Sequence, residues 1–260
     1  MATAGELAMR KVILFVQVSL DGFFEGPKKE IDWHMVDDEL HAHILEELRP
    51  MGAFLSGRVT YELMAGYWPT ADADPGSTPF VKEFAPIWRD MPKVVYSKTL
   101  TSAGWNTTIA RDVVRGEVEE LKLRARGDLV VGGGDLGAAF MGQDLIDEYR
   151  IYVHPIQIGE GKRLFPPSKE KVLLRLAETR TFGNGVVLLR YERLRPRGGE
   201  LVDCNRRIEK GQLRDIHADG RGEVVDRPER GWLAALDDFR NCFDKIWSPN
   251  RATATGSDAE

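Results

Sequence analysis

Apolar runs along the first 194 positions are short and are separated by longer mixed stretches, which is the rhythm of alternating strands and helices. Residues 10–18 (RKVILFVQV) form a nearly continuous, β-branched run that predicts a buried strand. Ser19-Leu20-Asp21-Gly22 closes it with turn chemistry before the apolar pair Phe23-Phe24. Over 37–49 the apolar residues fall at Leu40, Ile44, Leu45 and Leu48, the spacing of an amphipathic helix with acids in its first turn. Residues 51–56 predict a short strand, followed at once by a helix that starts at Arg58 or Thr60 and ends near Gly66. The Pro-, Asp- and Gly-rich stretch 69–79 predicts a loop, with Trp68 in the core at its mouth. Lys93 to Tyr96 predicts a strand, and 113–126 a charged helix with an apolar stripe of Val114, Val118, Leu121 and Leu123.

The same alternation continues toward residue 194. Leu129, Val130 and Val131 predict a strand, Gly132 to Gly134 a bare turn, and a short helix begins at Asp135 or Leu136. Residues 149–154 predict another strand, and 172–182 with 186–191 a hairpin around Gly183-Asn184-Gly185. Strands that alternate with helices and end in a hairpin imply one α/β domain over 9–194, its mixed sheet covered on both faces. Beyond it the pattern changes. Residues 195–227 are rich in Arg, Gly, Asp and Glu and predict a linker or loosely ordered arm. Trp232, Leu236, Phe239, Phe243 and Ile246 form the apolar stripe of an amphipathic helix over 228–250, and 251–260 predicts a disordered tail.

Composition narrows the function classes. With 260 residues, 42% hydrophobic and 30% charged, the chain can bury a sizeable core. A net charge of -5 gives no general attraction to nucleic acid or to an anionic membrane, so a polyanion has to be met by local sites. The two cysteines, Cys204 and Cys242, lie outside the main domain, and five scattered histidines form no zinc pattern; no metal is expected. The opening residues read as a strand rather than a signal peptide, and no stretch approaches 18 apolar residues, so the cytoplasm is the expected compartment.

The candidate chemistry sits where strands end. At Gly132, Gly133 and Gly134 a strand meets a glycine turn and a helix start, which lets the backbone approach a ligand and presents unpaired N–H groups to an anion. A phosphate suits that position, although a tight turn without a ligand would use the same residues. The letters also satisfy G-x-G-x-x-G, but the helix is barely two turns long and the next strand ends in Val-His-Pro rather than an acid, which excludes a Rossmann unit. Gly57, Arg58 and Thr60 repeat the strand, glycine and helix arrangement with a guanidinium added, and Ser97-Lys98 places a hydroxyl and an ammonium at a third strand end. Asp21, at the end of the first strand, either serves a ligand or bonds its own turn.

Taken in order, S-L-D-G at Ser19, G-R-x-T-Y-E at Gly57, G-G-x-L at Gly133 and L-I-D-E-Y…P-x-x-x-G-x-G…L-F from Leu145 resemble the reductase domain of riboflavin biosynthesis, over roughly residues 10–192. The resemblance implies a dihydrofolate reductase-like three-layer α/β/α fold, NADPH as cofactor, hydride transfer to a small heterocyclic or carbonyl substrate, and a homodimer. It places the pyrophosphate at Gly132 to Leu136, including Asp135, a second phosphate contact at Gly57, Arg58 and Thr60, and the 2′-phosphate at Ser97 and Lys98. It makes Asp21, and after it Asp37, the candidates to orient substrate or relay a proton. Two positions depart from the family pattern. Gln17 stands where riboflavin enzymes carry a lysine, and Phe23 where they carry a polar or basic residue; the aromatic pair points to a less polar substrate. The chain carries no H-x-E…P-C-x-x-C deaminase module. Dihydrofolate reduction, and a non-catalytic nucleotide-binding or interaction protein on the same fold, are the alternatives.

Overall fold

The computed structural model describes residues 10–168 and 171–195 in full, together with the backbone of two short strands, 206–209 and 212–215. In chain order the elements are β1 (Val12–Ser19), β2 (Phe23–Glu25), α1 (Asp38–Leu48), β3 (Ala53–Gly57), α2 (Arg58–Tyr67), a 3-10 helix (Trp68–Ala73), α3 (Pro79–Asp90), β4 (Lys93–Tyr96), β5 (Thr107–Ala110), α4 (Arg115–Arg124), β6 (Leu129–Gly132), α5 (Gly134–Gly142), β7 (Glu148–His154), β8 (Lys162–Arg163), β9 (Leu174–Thr181) and β10 (Val187–Arg193). Eight strands form one sheet in the order β5-β4-β3-β6-β1-β7-β10-β9. All neighbours run parallel except around β10, which is antiparallel to both β7 and β9.

This is the expected mixed sheet closed by a hairpin. Period-two alternation divides β1 between two cores: Val12, Leu14, Val16 and Val18 face one, Ile13 and Phe15 the other. The first core is completed by Val118 of α4 and by Leu136 and Phe140 of α5; the second by Leu40 and Leu45 of α1, Tyr61 of α2 and Trp88 of α3. Helices therefore cover both faces, as parallel strands require.

Several elements differ from the sequence reading. The stretch expected to be a loop contains the 3-10 helix and leads into α3, capped by Thr78, whose hydroxyl accepts from Val81 N, with Pro79 at its first position. Trp68 is half-buried and packs edge-on to Phe84 at 4.6 Å, so its ring belongs to the core. In α4, Leu123 is exposed and Lys122 is buried instead, its ammonium 3.0 Å from Asp147. Phe23 and Phe24 belong to β2, which pairs with β8 as a separate two-stranded ribbon.

Buried charge ties the sheet together at the other end of β1. Glu148, fully buried, accepts from Lys11 Nζ (2.8 Å), Arg150 Nε (2.7 Å) and Arg190 Nε (2.7 Å). Burial alone would raise its pKa. Hydrogen bonds from Lys11 and Arg150, with the charges of Arg150 and Arg190, outweigh that and hold it at about 2.

A second compact unit begins at Pro196. Within the stretch read as a linker or loose arm, β11 (Arg206–Glu209) pairs antiparallel with β12 (Gln212–Asp215), so this part of the arm is a hairpin. The expected helix over 228–250 and tail over 251–260 lie outside the described residues.

Candidate functional site

The strand order places β6 between β3 and β1, where successive connections leave in opposite directions, and ligands gather outside the carboxyl ends of strands at such a point. A cleft of about 390 Å³ opens there. Its lining brings together Gly57, Arg58 and Thr60 from the start of α2, Ser97 and Lys98 after β4, and Gly132, Gly133, Gly134, Asp135 and Leu136 at the β6–α5 turn. Residues separated by up to 79 positions thus share one wall, and every position expected to hold a cofactor is among them.

Local chemistry leaves this wall open to an anion. The N-caps of α2 and α5 are Gly57 and Gly133, and neither helix start is bonded by a capping side chain, whereas Asp37 and Thr78 cap α1 and α3. Two sets of first-turn N–H groups therefore face the cleft with the positive end of a helix dipole behind each. Gly133 holds φ at +89°, a left-handed conformation that a glycine adopts without strain. A Cβ at Gly57 or Gly132 would meet open space, so the absence of side chains there widens the cradle rather than relieving a clash. At Gly134 a Cβ would strike the Phe24 ring at 2.0 Å; the aromatic ring lies directly on the helix start.

Four cations line this cradle, together with the carboxylates of Glu25, Asp112 and Asp135. Arg58 lies at the mouth, half-exposed and paired with Glu62 at 2.7 Å in an i,i+4 bridge that solvent screens. Lys98 is exposed and makes no ion pair among the described residues. Lys29 and Arg111 also line the cleft. Arg111 donates to the carbonyls of Ser97 (2.9 Å) and Leu100 (2.7 Å), and Ser97 Oγ accepts from Leu100 N (2.9 Å), so the Ser97-Lys98 turn is braced from both sides. Asp135 pairs with Lys162 of β8, which also lies over the Phe24 ring, and this closes one end. Arg111 and Lys29 were not among the expected site residues, and Phe24, read from the sequence only as a sign of a less polar substrate, lies against the α5 start. Arg111 follows β5, a strand the pattern did not reveal.

The two carboxylates expected to serve substrate have structural partners instead. Asp21 accepts from Ser19 Oγ (2.6 Å), Gly159 N (2.8 Å) and Ile158 N (3.3 Å), and these bonds, the Ser19 hydroxyl first, hold its pKa below the usual carboxylate range. It fastens the loop after β7 to the end of β1, a long-range tie, while the turn itself is closed by Gly22 N donating to the Ser19 carbonyl. Asp37 accepts from Leu40 N at 2.9 Å and caps α1. Neither lines the cleft.

A second cavity of about 130 Å³ shares Thr60 and Gly132 with the cleft and is otherwise mainly apolar, walled by Phe15, Phe54, Met64, Phe84 and Trp88. Lys93 reaches it, but its ammonium is directed to the carbonyls of Met91 (2.7 Å), Trp105 (2.7 Å) and Arg89 (3.4 Å), and burial lowers its pKa to about 8.

A mixed sheet in this order, with two uncapped helix starts at its switch point, is a dihydrofolate reductase-like domain. Residues 10–188 match the RibD C-terminal domain family, and the chain belongs to that family. Bacillus subtilis (strain 168) has two relatives, both described as uncharacterized: YyaP, 33% identical over 186 residues (71% of this chain, 96% of that protein), and YwjB, 28% identical over 184 residues (69% and 96%). Among solved structures, the diaminohydroxyphosphoribosylaminopyrimidine deaminase/5-amino-6-(5-phosphoribosylamino)uracil reductase of Thermotoga maritima shares the fold with a TM-score of 0.51 at 16% identity; the match covers 72% of this chain and 57% of that one. Among the described residues no helix is long and apolar enough to cross a membrane.

Proposed function

We propose that the chain is an NADPH-dependent reductase of a small heterocyclic or carbonyl substrate, in the manner named for the Thermotoga maritima protein. The observation that carries this reading is the pair of uncapped, glycine-started helices, α2 and α5, facing one cleft with Arg58 and Lys98 at its rim. Two N–H cradles and a separate cationic turn fit a diphosphate and a third, isolated phosphate, a set of charges that NADPH carries and NADH lacks.

Gly132 to Leu136 would hold the pyrophosphate together with the α2 start, and the braced Ser97-Lys98 turn would hold the 2′-phosphate. NADPH, when bound, supplies a hydride from its nicotinamide ring, so the chain needs chiefly to position and to exclude water. Phe24 covers the α5 start and Phe15 walls the adjoining cavity, and both surfaces suit flat rings. Since Asp21 and Asp37 have structural partners, neither is assigned the proton step.

Lys98→Ala tests the reading: affinity for NADPH should fall about tenfold while affinity for NADH stays the same, because only one of the two carries the charge that Lys98 meets. Equal loss for both would remove Lys98 from the 2′-phosphate. Turnover is then sought as NADPH oxidation with carbonyl-bearing pyrimidines and pterins.

A further inference from the structure

His154 ends β7 beside the end of β1, where the register pairs it with Ser19, and it is completely buried. Its Nδ1 accepts from the backbone N–H of Met35 at 3.0 Å. A backbone N–H can only donate, so Nδ1 carries no hydrogen and the neutral ring keeps its hydrogen on Nε2, 2.8 Å from Gln17 Oε1. The His34 ring stacks on His154 at 5.1 Å, and Trp33 meets the two rings edge-on, His34 at 4.4 Å and His154 at 5.7 Å. Asn184 Nδ2 donates to the Met35 carbonyl at 3.0 Å. Residues 33–35 of the connection between β2 and α1 are thus clasped to the end of β7, and the same connection contributes Lys29 to the cleft wall.

The clasp holds only while both rings are neutral. A proton on His154 takes up Nδ1 and sets one N–H against the N–H of Met35. A proton on His34 puts a charge on a ring whose Nε2 is buried without a partner. Both together set two positive charges about 5 Å apart. Among the described residues no carboxylate offsets this. Asp37 caps α1, Glu39 is bound to Arg180 and Gly183 N, Asp21 to Ser19 and the loop after β7, Asp32 is exposed, and Gln17 is uncharged. Burial lowers both pKa values from 6.5 to about 4, joined at His154 by the charge of His34. Released to water, each ring takes its proton near 6.5; held in the clasp, near 4. The clasp is therefore fully supported above about 6.5 and loses stability as pH falls from there toward 4.

We propose that His34 and His154 form an acid-operated clasp: uptake of two protons, one on each ring, releases residues 33–35 from the end of β7 in a single event. Neutralisation closes it again. The clasp stands apart from the reductase reading and is tested without a ligand.

Amide hydrogen exchange of the full chain, followed by NMR and corrected for the intrinsic pH dependence of exchange, reads the opening at the Met35 N–H. Protection there should fall by about fiftyfold between pH 6 and pH 5, the slope of two protons, while Leu14 N–H in the middle of the sheet does not follow. His34→Phe keeps a stacked ring but no proton site, and should reduce the fall to about sevenfold, the slope of one proton. His154→Asn, whose Oδ1 accepts from Met35 N–H and does not titrate, should do the same. Unchanged protection at Met35 between pH 6 and pH 5, or an undiminished fall in His34→Phe, overturns the proposal. So does a wild-type NMR titration in which either ring takes its proton near its ordinary value while Met35 stays protected. Where a variant does not fold, the wild-type slope and ring titration decide by themselves.

Discussion

At Gly133 the φ of +89° and the Thr60 hydroxyl, 2.8 Å from where a Cβ would stand, leave room for no side chain. Gly133→Ala should destabilise the fold by about 1 to 3 kcal/mol, read as a lower melting temperature, and should weaken NADPH binding as the cradle shifts. Arg58→Ala should leave melting unchanged, because its bridge to Glu62 is exposed, yet weaken NADPH by about 1 to 3 kcal/mol through a lost charge-assisted bond. The contrast between the two separates backbone shape from charge. Glu148 governs acid stability. Its folded value near 2 lies below the ordinary 4.5, so its contribution is complete above the ordinary value and is lost as pH falls from about 4.5 toward 2. Glu148→Gln should cost about 3 kcal/mol at neutral pH, where it removes the buried carboxylate shared by Lys11, Arg150 and Arg190 and leaves them only Glu192, Glu47 and Glu178, and should flatten acid unfolding across that window. Single residues were the most legible scale of the site, because glycine, arginine and lysine at strand ends have few other uses in combination. Asp21 and Asp37 were legible as residues but not as roles, since a turn, a cap and a catalytic carboxylate share the same letters.

Among the elements, α1 shows how a cap is distinguished from a catalyst. Asp37→Ala should cost about 1 kcal/mol of stability through the lost bond to Leu40 N, with NADPH-dependent turnover of the folded protein unchanged; a loss of turnover in the folded variant would return Asp37 to the site. The central parallel strands were readable because burial on both faces makes them apolar throughout. Helix α3 was not, although Thr78-Pro79 forms its start and Phe84 and Trp88 its buried face, because Pro86 inside it and the Pro-rich stretch before it read as loop. Strand β5 was missed for a different reason: at the sheet edge it is only partly buried and carries no apolar run. In α4 the expected stripe holds at Val118 and Leu121 but not at its ends, where Val114 and Leu123 are exposed and a lysine paired with Asp147 is buried at 122 instead.

For the whole molecule, the fold gathers three strand ends into one cleft. The sequence order of the motifs carried that arrangement only through the family resemblance; periodicity alone does not say which strands are neighbours. The walls that escaped notice, Lys29 and Arg111, follow strands whose position depends on pairings far away, β2 with β8 and β5 with β4. The first unit ends at Arg195, whose guanidinium bonds Asp147 (2.7 Å) and the carbonyls of Asp144 and Ile146. A chain ending at Arg195 should fold and melt close to the full chain, and one that also loses Arg195 should melt lower. Differential scanning calorimetry checks both. The central claim is that the cleft holds NADPH, and titration of the wild-type protein with NADPH and with NADH, followed by nicotinamide fluorescence, tests it most directly. Micromolar NADPH binding, at least about tenfold tighter than NADH, is the expected result. Binding of neither nucleotide, or equal affinity for both, would contradict the account of the cleft.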